Sequence, residues 1–441
     1  MTSVTAQRLS GLCRLRLGEP ADAARIAALT RRGAVPDPTI RDTVRSILAD
    51  VRRHGAEAVR ETNRRVGGGQ ASGELIVARR DLDAARDDLP GTVREALETA
   101  IVNVRRFAET QRPTSTTTVI GQGVEIERRW TPVASVGCYV PGGSAPYPSS
   151  LVMTVVPAQV AGVERIVVAS PADRDGKIDP ILAGAAGLLG VDAFLVAGGA
   201  QAIAALAYGL GATLAPVDRV VGPGNAWVTS AKLELAGEVG IDLPAGPSEG
   251  LVLADETADP VTVAADLVTQ AEHGPDSPTI LVTMDDATAD AVDAEVDRRL
   301  GTANRRDILE RALATHGRTV IARDLDDAIE FINAYAPEHL SVALADPEAT
   351  VARIRNAGSI FVGPWAPESA GDYATGANHV LPTGGLARAC GPLAVESYGK
   401  FSQVQRITRQ GLESLRPTIT TLAEAEGLLA HRDAVEIRFQ R

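Results

Sequence analysis

The sequence predicts an α/β fold built on two mostly parallel β-sheets. Between residues 134 and 246, and again from residue 250 onward, short strands rich in Val and Ile alternate with helices. Near-continuous apolar strands separated by helices are typical of parallel sheets that are covered on both faces. A chain of 441 residues also exceeds one ordinary hydrophobic core, so two or more domains are expected.

Composition places the chain among soluble globular proteins, with 45% hydrophobic and 23% charged residues. The net charge of −12 argues against a nucleic-acid partner or an anionic membrane surface, because no basic excess is present to neutralise phosphates. Three widely spaced cysteines give no disulfide framework and suit a reducing compartment. No secretory signal or membrane-spanning run is visible, so the cytoplasm is the expected location.

The chain before residue 130 is predicted to be mainly helical. Residues 1–30 are expected to form a tail that leads into a helix near residues 21–31. Residues 39–66 and 89–112 form charged amphipathic segments, separated by a Gly-rich bend and a short strand at residues 75–78. We expect these helices to share a core with the sheet that begins near residue 250, which makes the unit 134–246 an insertion.

The inserted unit is expected to be a nucleotide-type α/β unit. Its predicted strands are 133–140, 165–170, 192–198, 218–222 and 239–243, and its helices lie near 150–163, 180–189, 200–208 and 227–236. The later half repeats the alternation, with strands at 250–255, 279–285, 319–324, 340–344 and 359–363. From residue 381 the pattern is irregular until a closing helix at residues 421–432.

The most informative stretch runs from residue 241 to residue 274. Asp259 and Pro260 are a plausible N-cap and first residue of a helix that ends near Gly274. Gln270 and His273 are three residues apart and therefore share one face of its last turn. An imidazole and an amide oxygen aimed at one point make half of a metal site, although this spacing taken alone is weak evidence.

Three glycine-containing loops, at residues 139–150, 198–205 and 222–228, each follow a predicted strand and precede a helix. Ligands of parallel sheets bind beyond the carboxyl ends of the strands, where backbone amides can approach phosphate. One such loop is best explained as a tight turn, whereas three in one unit suggest a dinucleotide. The ordinary GxGxxG fingerprint is absent.

Further polar groups are candidates for catalysis. Glu338 and His339 are adjacent at a helix-to-strand junction and are residue types that move protons at neutral pH. Asp372 and His379 belong to a loop of small and polar residues, 369–385, that is too polar for a core. Cys138 abuts one glycine loop but has no neighbouring base, so we interpret it as a small buried hydrophobe.

Two more residues near the C-terminus, Glu426 and His431, are best explained from the sequence alone as a solvated helix end.

Taken in order, these motifs resemble the histidinol dehydrogenase family over essentially the whole chain. IDLPAGPSE followed by DLVTQAEHG is close to that family's signature, with Thr269 in place of an expected smaller Ser or Ala. The resemblance implies a fold similar to that of aldehyde dehydrogenases: two incomplete Rossmann-like domains with small N- and C-terminal tail segments. It also implies a four-electron oxidation of L-histidinol to L-histidine through histidinaldehyde, using two NAD+, in the last two steps of histidine biosynthesis.

The resemblance assigns a role to each motif. One Zn2+ per subunit is expected on Gln270, His273, Asp372 and His431, with His431 supplied by the partner in a homodimer with shared active sites. His339 is expected to act as general base, and Glu338 to activate water for the second oxidation. Contacts to NAD fall on Tyr139, Gln201 and Asn225. Contacts to histidinol fall on Ser248, His339, His379 and Glu426, together with the four zinc ligands.

The implied domains are a tail at residues 1–30, a first Rossmann-like domain at 31–133 and 247–385 that carries the zinc and proton-transfer residues, an inserted NAD-binding domain at 134–246, and a dimerisation tail at 386–441.

Two other functional classes are compatible with this fold. A sister zinc- and NAD-dependent alcohol dehydrogenase acting on another chelating polyol would keep the metal and NAD residues but lose the contacts to an imidazole. A binding protein without activity would not need both proton-transfer residues. The presence of Glu426, His379, Glu338 and His339 favours histidinol oxidation.

Overall fold

The computed structural model of the protein describes residues 12–33, 37–70, 72–142, 146–173 and 176–440. Its strands are β1 Cys13–Arg16, β2 Ile76–Val77, β3 Thr116–Gly121, β4 Val124–Pro132, β5 Ser135–Tyr139, β6 Arg165–Ser170, β7 Ala193–Val196, β8 Arg219–Val221, β9 Gly240–Ile241, β10 Gly250–Ala254, β11 Thr279–Thr283, β12 Gly317–Ile321, β13 His339–Ala343, β14 Ser359–Val362 and β15 Gly399–Ile407.

The α-helices lie between the strands and cover the sheets. They are α1 Ala23–Thr30, α2 Pro38–His54, α3 Ala56–Val66, α4 Arg79–Asp87, α5 Gly91–Glu109, α6 Pro148–Ala161, α7 Pro180–Leu189, α8 Gly199–Tyr208, α9 Ala226–Leu235, α10 Pro260–Glu272, α11 Asp286–Leu300, α12 Arg306–His316, α13 Leu325–Tyr335, α14 Pro347–Val351, α15 Glu368–Tyr373, α16 Arg409–Ala425 and α17 Leu429–Glu436. Short 3-10 turns occupy Leu386–Arg388, Val395–Tyr398 and Ile437–Phe439.

The first sheet has six parallel strands in the order β1-β12-β11-β10-β13-β14. The strands predicted from residue 250 onward are confirmed. The sequence did not predict β1, because CRLR carries two arginines and shows no apolar run; it extends the sheet by pairing with β12. Residues 1–11 of the predicted N-terminal tail lie outside the described part of the chain.

The second sheet has the order β2-β7-β6-β5-β8-β9 and is parallel except for the edge strand β2. Its central strands β5 and β6 are buried almost throughout, which is why they read as continuous apolar runs. The predicted α/β fold with two Rossmann-like sheets is therefore confirmed.

The N-terminal helices pack against this second sheet. Val44 of α2 and Val59 of α3 belong to one core cluster with Leu195 of β7. Leu97 of α5 belongs to the cluster on the opposite face, with Ile166 of β6. The expectation that these helices share a core with the first sheet is wrong, because an apolar helix stripe shows that a face is buried but not which sheet covers it. The exact domain boundaries stay a prediction.

The C-terminal region differs most from the prediction. Strand β15 pairs antiparallel with β4, which pairs with β3, in a separate three-stranded sheet. The single closing helix expected at residues 421–432 is wrong, since α16 ends at Ala425 and α17 begins at Leu429. Gly427 between them has a φ of 72°, a left-handed conformation that interrupts the helix.

None of the helices in the described part of the chain combines the length and the apolar character required to cross a bilayer.

Candidate active site

A cleft of about 940 Å³ lies beyond the carboxyl ends of strands of the second sheet and at the amino ends of strands of the first sheet. The second sheet contributes the segment from Pro223 to Trp227, which follows β8. The first sheet contributes the loop before β10, the end of α10 and the start of β13. Predicted site residues that line the cleft are Asn225, Ser248, His273, Glu338, His339, Asp372 and His379.

Helix α10 places His273 in the lining of the cleft, whereas Gln270 is buried and contacts Ser248 and His339, which line it. The Asp259 side chain accepts a hydrogen bond from the Val261 amide and Pro260 follows, so the predicted N-cap is confirmed. Gln270 packs against β10 at Gly250, where an added Cβ atom would lie 2.7 Å from Gln270 Cγ. A side chain at residue 250 would therefore displace Gln270, which explains the glycine at the start of the strand.

A chain of hydrogen bonds joins the predicted metal, substrate and catalytic groups. Gln270 Nε2 donates to Ser248 Oγ at 3.2 Å, and Ser248 Oγ donates to Glu338 Oε2 at 2.8 Å. The Glu249 amide donates to the same carboxylate oxygen at 2.8 Å. Gln270 Oε1 lies 3.2 Å from His339 Nδ1, so both ends of the amide group are engaged and its orientation is fixed.

Glu338 and His339 follow an unusual turn. Helix α13 ends at Tyr335, and its C-cap Ala336 has a φ of 53°, a left-handed conformation that alanine rarely adopts. Pro337 comes next, and His339 begins β13 opposite Gly250. Strained backbone of this kind persists where surrounding structure holds it, often beside functional groups.

Burial shifts the pKa values of both proton-transfer candidates, Glu338 and His339. It raises the pKa of Glu338 well above the usual value, against the effect of the hydrogen bonds from Glu249 and Ser248. It lowers the pKa of His339 to about 4, so the imidazole is neutral at neutral pH. A basic carboxylate next to a neutral imidazole suits two proton transfers.

A cluster of one imidazole and two carboxylates adjoins this pair. Potential ligand atoms of His273, Glu368 and Asp372 all lie within 4.8 Å of one another. Burial lowers the pKa of His273, but the hydrogen bond and charge of Glu368 and the charge of Asp372 outweigh it and raise that pKa to about 9. The cluster therefore favours a cation, and this donor set fits zinc.

Glu368 was missed in the sequence. Its Oε1 atom lies 3.3 Å from His273 Nε2 and 3.7 Å from His339 Nδ1, and its side chain is buried. Glu368 and Asp372 are four residues apart on α15 and thus on one face of a helix. The spacing of four residues between Glu368 and Asp372 could have identified Glu368 as a site residue. The helix was not predicted, because the composition after residue 369 is typical of a loop.

His379 bridges the two halves of the cleft. Its Nδ1 atom lies 2.9 Å from the Asp372 carbonyl oxygen, and its Nε2 atom lies 3.1 Å from Ser150 Oγ at the start of α6. The carbonyl accepts only, so Nδ1 carries the proton and Nε2 accepts from Ser150.

The three predicted NAD contacts differ in their placement. Asn225 lines the cleft and caps α9 by accepting from the amides of Trp227 and Val228. Tyr139 is buried, and its hydroxyl accepts from the Gly199 amide. Gln201 is buried and donates to Asn63. Residues 143–145 of the predicted loop 139–150 lie outside the described residues.

Glu426 and His431 lie apart from the other candidates within one chain. Glu426 is the C-cap of α16, His431 lies on α17, and both are exposed. Among the described residues that line the cleft, neither appears. Cys138, by contrast, is fully buried and burial raises its pKa to about 12, so its interpretation as a buried hydrophobe is confirmed.

Comparison with known proteins gives consistent matches. The sequence profile described as histidinol dehydrogenase matches residues 30–439. A histidinol dehydrogenase of Leifsonia xyli subsp. xyli is 49% identical over 399 residues, which cover 89% of this chain and 91% of that protein. One of Mycobacterium bovis is 46% identical over 431 residues, covering 96% and 97%. The crystal structure of histidinol dehydrogenase from Elizabethkingia anophelis superposes with a TM-score of 0.91 at 34% identity, over 99% of both chains.

Proposed function

Because this chain belongs to the histidinol dehydrogenase family and is an NAD-dependent oxidoreductase, we propose that it oxidises L-histidinol to L-histidine in two zinc-assisted steps. One observation carries this proposal: a carboxylate and a neutral imidazole, Glu338 and His339, lie beside a cation-favouring cluster in a single cleft. The same proposal includes two NAD+ per substrate, a homodimer and a cytoplasmic location.

We assign the metal to Gln270, His273 and Asp372, with His431 of a second copy as fourth ligand. The donor types support zinc, and Glu368 stands close enough to orient His273 by its hydrogen bond. NAD is assigned to the cleft wall near Asn225, where the positive end of the α9 helix dipole suits phosphate. When bound, zinc supplies orientation and positive charge for the alcohol, and NAD supplies the hydride acceptor.

The charge of the cleft supports an amino alcohol as substrate. The carboxyl groups of Glu272, Asp276, Glu338 and Asp372 line it, and among the described lining residues they outnumber the two cationic groups, Arg305 and His273. An ammonium-bearing alcohol such as histidinol is attracted by this arrangement. His379 and Ser248 are the groups that we assign to substrate contacts from the described part of the cleft.

The residues of this chain divide the proton transfers between two steps. His339 Nδ1 donates to Gln270 Oε1, which leaves the lone pair on Nε2 to accept the alcohol proton. Glu338 Oε2 is held by Ser248 and Glu249, which leaves Oε1 to accept a proton from water as it adds to the aldehyde.

Turnover with L-histidinol tests the proposal directly. We expect two NADH for each histidinol consumed, loss of activity with a chelator, and recovery with Zn2+. One NADH per substrate with accumulating aldehyde would contradict the two-step reaction. Equal turnover of a chelating polyol without an imidazole would instead indicate the sister alcohol dehydrogenase.

Substitution of His431, the proposed fourth zinc ligand, tests the metal assignment. We expect His431→Ala to lower zinc content and activity while thermal unfolding stays near that of the wild type, because the exposed side chain packs in no core. Metal analysis and circular dichroism measure both effects. His54→Ala, at an exposed histidine of α2, is the matched control. Full zinc occupancy and normal turnover of His431→Ala would rule out this ligand.

A further inference from the structure

An ion pair between Lys232 and Asp242 is buried behind the cleft. Both side chains are at most 2% exposed. The chain relies on arginine almost everywhere, since only three of its 44 Lys and Arg residues are lysines. Buried ion pairs contribute little net stability, because desolvation offsets the attraction, so this pair calls for another explanation.

The Lys232 ammonium joins two separate loops. Its Nζ atom donates to the Gly222 carbonyl at 3.0 Å and to the Leu243 carbonyl at 2.9 Å, and it pairs with the Asp242 carboxylate. Asp242 Oδ2 also accepts from the Gly222 amide at 2.7 Å. Two of the ammonium donors are thus bound by carbonyl oxygens, the ammonium charge faces the Asp242 carboxylate, and both backbone groups of Gly222 are fixed.

One of these loops holds a residue that we assign to NAD, and the other holds a residue that we assign to histidinol. Residues 222–225, the cofactor loop, end at Asn225, and residues 243–248, the substrate loop, end at Ser248. Gly222 has a φ of 114°, and a Cβ atom there would lie 2.1 Å from the Tyr139 carbonyl oxygen, so the cofactor loop can begin only at a glycine. A hydrogen bond from Thr229 to the Ala245 carbonyl adds a second link between α9 and the substrate loop.

We propose that Lys232 is a positioning residue that sets the distance between the cofactor loop and the substrate loop, and thereby aligns the reacting carbon with the nicotinamide. The inference rests on the proposed function. A compact ammonium fits between two carbonyls and a carboxylate, whereas the planar guanidinium of arginine does not reproduce that geometry. Misplacement by about 1 Å can slow a reaction by about 10²-fold.

The test compares the wild type with the double variant Lys232→Met/Asp242→Asn. This variant removes both charges together, so no carboxylate is left buried and unpaired, and the side-chain amide that replaces the Asp242 carboxylate can still accept from the Gly222 amide. We expect kcat to fall by about 100-fold, with zinc content, thermal unfolding and KM for histidinol near wild type. The deuterium isotope effect on kcat, with histidinol labelled at the carbinol carbon, should rise as hydride transfer becomes limiting.

A binding measurement provides a readout independent of turnover. Trp227 lines the cleft beside Asn225, so its fluorescence should report NADH, and the dissociation constant of NADH should rise in the double variant. Lys232→Arg, which keeps the charge, should not restore kcat, and Lys177→Met, at an exposed lysine, is the matched control.

The outcomes distinguish a failure of the role of Lys232 from a failure of the proposed function. A normal kcat in either Lys232 variant, or a loss that only parallels zinc content with an unchanged isotope effect and unchanged NADH affinity, would overturn the inference while the proposed function stands. A wild-type protein that does not oxidise histidinol would remove both.

Discussion

Glu338→Gln is expected to slow oxidation of histidinaldehyde by about 10²–10⁴-fold, the usual effect of losing a general base. The amide keeps the shape of the side chain and can still accept from Ser248 and Glu249, so the hydrogen-bonded framework persists. Oxidation of histidinol to the aldehyde needs no added water and should lose far less. Single-turnover measurements that start from histidinol and from histidinaldehyde separate the two steps.

Two further variants sharpen this prediction. His339→Asn should impair both steps, because the imidazole accepts the alcohol proton and adjoins Glu338, with Nδ1 at 3.8 Å from Oε2. Glu256→Gln removes an exposed carboxylate after β10 and should change neither step. Equal losses in both steps for Glu338→Gln would show that the two residues do not divide the work.

Complementation between two inactive chains should restore activity if each site is shared between subunits. Glu426 and His431 are exposed and do not line the cleft of their own chain, as far as its lining residues are described. We therefore expect α17 to reach the zinc ligands of a partner. The experiment mixes a Gln270→Ala/His273→Ala chain with a His431→Ala chain under conditions that allow subunit exchange.

The number of intact sites in a mixed dimer distinguishes the two arrangements of the C-terminal tail. With crossed tails, one site of each mixed dimer carries both lesions and the other is intact, so half the normal activity returns per mixed dimer. If each tail serves its own chain, every site keeps a lesion and the mixture stays inactive. Each variant incubated with itself provides the baseline. A shared site would make the dimer necessary for catalysis.

The sequence alone determined the elements whose evidence is local. The apolar runs at residues 165–170 and 279–285 became buried parallel strands because both faces of such strands are covered. Asp259 and Pro260 identified the start of α10, since capping depends on neighbouring residues. The family resemblance was also read from local signals, namely short motifs in a fixed order along the chain. It is confirmed over residues 30–439.

The sequence could not locate contacts between distant segments. Glu368 reaches His273 only because α15 and α10 meet in space, although the two residues are 95 positions apart in the chain. The packing partner of α2 to α5 was likewise undetermined, because an amphipathic pattern is the same whichever sheet buries it.

Only the tertiary structure decided which candidates share one place. It brought Ser248, Gln270, His273, Glu338 and His339 into one group of neighbouring side chains and left His431 outside the cleft of its own chain. It also revealed the buried Lys232 between two loops, which no local pattern indicates. The physical reason is that propensity, capping and apolar period act between near neighbours, whereas a site is made by long-range packing that brings separate loops together.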